Sequence, residues 1–110
     1  MRFFFLLVLL LAFSAAARAD RISEMNPTER CTYVAKLQVA AYYYFNQGRP
    51  RDQVKIHWHG DETQHEIDFI SGTLDQAYSW LNNAGVTGST LSAQAFGDMV
   101  YASCMSGRVL

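Results

Sequence analysis

A chain of 110 residues, half of them hydrophobic and 17% charged, is long enough for one domain with a single core and too short for two. Nine Lys and Arg against ten Asp and Glu give a formal net charge of −1, and the cations are scattered along the chain. That balance excludes the phosphate-neutralising stripe of a nucleic-acid binder and the basic face of a protein that lies on an anionic membrane.

Arg2 is followed by an apolar run from Phe3 to Phe13 and then by small residues ending Ala17-Arg18-Ala19. The run is too short to span a bilayer, and with its small-residue exit it reads as a secretory signal peptide over residues 1–19, cut between Ala19 and Asp20. Residues 20–110 are then expected to form a single helical domain, periplasmic in a bacterium and otherwise secreted, with no stable membrane insertion once the signal is removed. Without Arg2 and Arg18, seven cations face ten acids, a net charge of −3. A domain of ~90 residues has a core that is only modestly stabilising. Cys31 and Cys104 are the only cysteines and stand near its two ends, so in an oxidising compartment they read as a disulfide. Closing that loop is worth roughly 4 kcal/mol in the chain-entropy picture. A redox or nucleophilic role is disfavoured, because there is no Cys-x-x-Cys and no histidine next to either cysteine in sequence.

Asp20 to Met25 is a short polar lead-in without periodicity. Asn26-Pro27-Thr28-Glu29 starts a helix, with Asn26 as cap, Pro27 in the first turn, and Glu29 placed to complete a capping box. From Cys31 onward Val34, Leu37, Ala41, Tyr44 and Phe45 keep helical spacing, Tyr33, Ala40 and Tyr42 widen the stripe, and Gly48 ends it. A helix apolar around most of its circumference belongs between two others, at the centre of a bundle. The run Tyr42-Tyr43-Tyr44 reads as core and rim tyrosines rather than a ligand-stacking surface.

Arg49-Pro50-Arg51-Asp52 is expected to begin a second, short helix in which Val54 and Trp58 share a face. Eight residues from His59 to Glu66 follow with no large apolar side chain. Then Ile67, Ile70, Leu74, Ala77, Tyr78 and Leu81 form the cleanest amphipathic helix of the chain, closed at Asn82-Asn83-Ala84-Gly85. At about 100° per residue, continuing that stripe backwards would bury Ile56, Gly60 and Thr63 and expose Val54 and Trp58. A break near Gly60 avoids this, with Asp61 capping the new helix, Gln64 at its third position, and Glu62 at its positive end. Val86 to Ser89 reads as a loop. The last helix is expected from Thr90 or Leu91, with Ala93, Phe96, Val100 and Cys104 on its buried stripe. The fold class is therefore all-α: a small disulfide-stapled bundle of three main helices plus one short helix.

All three histidines fall between His57 and His65, among Asp61, Glu62 and Glu66 and beside Trp58. Imidazole and carboxylate groups suit zinc, copper or nickel where thiols are paired, which makes His57, His59, His65 and Asp61 candidate metal ligands. On a continuous helix His57 and His65 would stand about 12 Å apart, so one ion could take only adjacent pairs; a break at Gly60 would let the histidines converge. The competing reading is a solvated connection between helices. Protonation of the three histidines would move the stretch, counted with Asp68, from −4 toward −1, the behaviour of an acid-responsive envelope chaperone.

Enzyme signatures fail. His65-Glu66 opens like a zinc-protease helix, but Phe69 occupies the second histidine position. No nucleophile elbow or phosphate-cradling glycine loop is present, and on a helix Glu62 and Glu66 are more often a solvated face than an acid–base pair. The expectation is a non-enzymatic binding protein that needs no cofactor. Its partner, a protein or a small ligand, is unidentified, and its working surface is Trp58 with His57 and Asp61.

Overall fold

A computed structural model describes residues 20–84 and 91–107, and every regular element among them is helical. In chain order these are α1 (Arg21–Glu24), α2 (Pro27–Asn46), a 3-10 turn (Arg51–Gln53), α3 (Gln64–Ala84) and α4 (Ala93–Met105). The expected all-α bundle of three main helices is what forms, stapled by Cys31–Cys104 with Cα atoms 5.5 Å apart. The expected signal peptide and the Val86–Ser89 loop lie outside the described residues.

Local chemistry sets the helix starts. Asn26 Oδ1 accepts from the Glu29 amide at 2.8 Å and the Glu29 carboxylate accepts from the Asn26 amide at 3.3 Å, which completes the anticipated capping box of α2. Helix α4 begins at Ala93, slightly later than expected, because the Ser92 hydroxyl accepts from the Ala95 amide and so acts as its cap.

Helix α2 is the centre of the bundle, as its apolar circumference implies. One side of it meets α3 in a cluster of Ala41, Leu74, Ala77 and Tyr78, with Val54 closing one edge. The other side meets α4 through Tyr42, Phe96 and Val100, and Leu81 of α3 joins this second cluster. The Tyr42 ring stacks on Phe96 with centroids 5.0 Å apart, and its hydroxyl donates to the Leu91 carbonyl. Tyr42 is thus core, Tyr44 is half-buried, and Tyr43 is exposed, a split that follows from the 100° between successive residues.

Two expectations are corrected. The short helix from Pro50 onward is only the turn Arg51–Gln53, and Val54 is already extended at φ −81° and ψ 110°. Val54 and Ile56 both pack against the α2–α3 cluster while Lys55 is exposed, which is the two-residue alternation of an extended chain. Arg51 holds this geometry through an ion pair with Asp75 at 2.6 Å and a hydrogen bond to the Ser71 carbonyl at 3.4 Å. The alternation does not carry on to Trp58: Val54 is buried, whereas Trp58, four residues later, is exposed. The short helix of the bundle is instead α1, in the lead-in that showed no periodicity; Asp20 caps it by accepting from the Ile22 amide, and Ile22 is buried.

Within the α2–α3 interface Gln38 is only 2% exposed. Its Nε2 donates to the Thr73 carbonyl at 3.2 Å, while its Oε1 has no hydrogen-bond partner among the described residues. Leaving a buried acceptor unpaired costs more than one hydrogen bond returns. Gln38→Met, close in volume, is expected to raise the unfolding free energy by about 1 kcal/mol in a urea titration. Replacing Cys31 and Cys104 by serine should lower it by about 3–4 kcal/mol in the same measurement.

Candidate functional site

The segment that holds all three histidines is a pinned connection between the 3-10 turn and α3. The chain breaks at Gly60, as expected, with φ at +100°, a conformation that costs any residue with a Cβ. The cap of α3 is Thr63 and not Asp61. The Thr63 hydroxyl accepts from the Glu66 amide at 3.1 Å and the Thr63 amide donates to the Glu66 carboxylate at 3.0 Å, a second capping box two residues downstream of the expected one. Glu62 folds back instead, and its carboxylate accepts from the backbone amides of His59 at 2.6 Å and Gly60 at 2.9 Å. Burial pushes the Glu62 carboxyl up, but these backbone donors outweigh it and hold the group below its ordinary value.

Asp61 was free to leave the cap because Arg21 of α1 holds it, at 2.9 Å. The same guanidinium pairs with Glu66 at 2.9 Å, and Glu66 is 5% exposed. A buried carboxylate needs a partner of this kind, since desolvation without one is costly. Asp20 completes the clasp: while its side chain caps α1, its Oδ2 pairs with Nδ1 of His65. Burial raises the Asp20 carboxyl, yet bonds from His65, the Ile22 amide and Ser23 prevail and hold it low. Phe69 sits below, stacked against Tyr33 at 6.3 Å and edge-on to His65 at 6.5 Å. Burial pushes the Tyr33 hydroxyl up, and the Glu66 charge adds to the effect.

The predicted site residues therefore separate into two groups. Asp61 and His65 are engaged by the N-terminal arm, while His57, Trp58 and His59 are exposed on the irregular stretch before Gly60. Among the described residues no three His, Cys, Asp or Glu side chains gather into a group fit to hold a metal ion. Trp58 is 40% exposed even though the helix breaks at Gly60; a broken helix was expected to allow its burial. Val54 and Ile56 take the places against the core, and the turn at Gly60 follows before Trp58 can reach it. Asp20, Arg21 and the buried role of Glu66 were missed. The available signal was Asp20 standing two residues before the lone apolar Ile22, the mark of a cap and an anchor.

Chemically the clasp is a charge network: the arm's guanidinium meets Asp61 and Glu66, and its carboxylate meets His65. Asp20 and Glu62 titrate lower in the folded chain than in the unfolded one, so what they contribute is present above the ordinary carboxyl range near ~4 and is lost as pH falls through their folded values. The double variant Asp20→Asn, Glu62→Gln is expected to melt below the wild type at pH 7, with the gap closing as pH falls below about 4 in thermal unfolding followed by circular dichroism.

No protein-family model, no curated protein and no solved structure matches this chain, so its functional reading rests on these residues.

Proposed function

We propose that this chain is an exported, non-enzymatic interaction protein whose working surface is Trp58 with His57 and Asp61 around it. The observation that carries the reading is the placement of the two tryptophans. Trp80 packs against Phe96 with centroids 5.5 Å apart, whereas Trp58 is 40% exposed on a segment fixed by Glu62. A large aromatic held out by a pinned backbone loses little freedom on binding, and such residues are frequent energetic anchors of protein interfaces. A protein surface is the partner class that suits it, because an exposed indole among polar side chains is the usual make-up of an interface anchor. Export is supported by the signal-like residues 1–19 together with the disulfide, which persists in oxidising compartments.

The test has two parts. In a Trp80→Phe chain, Trp58 emission should be red-shifted and readily quenched by acrylamide. A photo-crosslinking residue at position 59, in the chain expressed in its native host, should give a discrete protein adduct that Trp58→Ala abolishes without changing the circular dichroism. Blue-shifted, unquenched emission, or an adduct that survives Trp58→Ala, would remove Trp58 as the anchor.

A further inference from the structure

Helices α2 and α4 run antiparallel. Cys31 near the start of one is bonded to Cys104 near the end of the other, and Tyr42 near the end of α2 stacks on Phe96 near the start of α4. They also approach closely: a Cβ built on Gly97 would lie 2.9 Å from Val39 Cγ2. Between them, on the face turned away from α3, runs a groove of about 530 Å³.

The groove is lopsided level by level. With Val39 beside Gly97, a rise of about 1.5 Å per residue in opposite directions sets Tyr43 level with Ala93, and Ala35 level with Tyr101. Each level has one large lip and one small one, and the large lip changes sides: Tyr43 and Val39 stand on α2, Tyr101 on α4. Tyr43 is 55% exposed, far more than a core tyrosine. Two charges border the same groove, Lys36 on α2 and Asp98 on α4, and both are exposed. They sit within about 3 Å of the same level, and no ion pair is formed by either among the described residues.

We infer that this face binds a second copy of the chain, with α2 of each copy lying over α4 of the other. A two-fold axis in the plane of such an interface keeps the helices of the two copies aligned only if it runs across them or along them. If the axis crosses the helices, α2 faces the partner's α2 and α4 the partner's α4, so neither Lys36 nor Asp98 lies over an opposite charge of the groove. If the axis runs along the helices, levels are preserved and sides are exchanged. Lys36 then meets the partner's Asp98, Asp98 meets the partner's Lys36, and Tyr43 and Tyr101 enter the spaces above the partner's Ala93 and the partner's Ala35. The second orientation satisfies the charges and fills the small-lipped side of every level. The result is a four-helix arrangement in which α2 is covered on a third side. A dimer held by two lips of tyrosine and two exposed charge pairs is weak, with a dissociation constant in the micromolar range.

Sedimentation velocity on the purified, disulfide-intact chain, from low micromolar to several hundred micromolar, reads this directly. The weight-average mass should rise with concentration toward twice that of one chain. Lys36→Asp and Asp98→Lys each place like charges at two symmetric contacts, and each should weaken self-association at least ~10-fold. Combined, they restore opposite charges and should return it to within ~3-fold of the wild type. Both positions are exposed, so the fold is expected to be unchanged by circular dichroism. A mass that stays at one chain throughout, a dimer indifferent to both reversals, or single losses that the combined variant fails to recover would each overturn the inference.

Discussion

The packing of this bundle follows from a central helix with little polar surface. Helix α2 carries apolar residues around most of its circumference, and such a helix is stable in water only when neighbours cover it. Helix α3 takes one side through Leu74, Ala77 and Tyr78, and α4 takes another through Phe96 and Val100. The disulfide joins α2 and α4 at one end, while Tyr42, Phe96 and the Leu91 carbonyl lock the other. The extended segment through Val54 and Ile56 covers a remaining edge, and it can do so only by giving up the helix that Pro50 would otherwise start. The alternation that turns Val54 and Ile56 inward stops short of Trp58, and the chain reaches its turn at Gly60 with the indole outside.

The start of α3 obeys a different rule, in which charge decides the geometry. Glu66 is committed to the Thr63 capping box and is buried, so a cation has to reach it, and Arg21 does. That guanidinium also takes Asp61, and Asp20 takes His65. The acids and histidine that look like metal ligands in the sequence are in this way distributed among partners brought by the N-terminal arm. Glu62 uses its carboxylate on backbone amides. Two histidines and a tryptophan are left presented to solvent on a backbone that is nonetheless fixed.

Much of the fold was legible because it depends on local chemistry and long periodicity. The capping box at Asn26 and Glu29, the stripe from Ile67 to Leu81, and the cysteine pairing each need only short-range rules or a count of two. The break at Gly60 was legible from angles alone. The cap of α3 was not, since Asp61 with Gln64 and Thr63 with Glu66 are both acceptable boxes, and the choice is made by Arg21, forty residues away. The failed helix after Pro50 is likewise tertiary in origin: Asp75 and the Ser71 carbonyl hold Arg51 in a turn that its own neighbours do not require. The site was half visible. The histidine segment announced itself by composition, whereas its other half lay in six residues, Asp20 to Met25, too short for any periodicity.

The bond between Cys31 and Cys104 encloses a covalent ring that contains α3, the histidine segment and almost all of α2 and α4. Asp20 to Arg30 lie outside that ring, yet Asp20 and Arg21 grip residues inside it. The arm is therefore the piece that can let go without disturbing the ring, and the opening that releases it is local. Amide protection at the first turn of α3 should reflect the grip of two side chains, while the middle of α2 exchanges only through global unfolding. A molecule built this way has one soft end by construction, adjoining the surface where Trp58 stands.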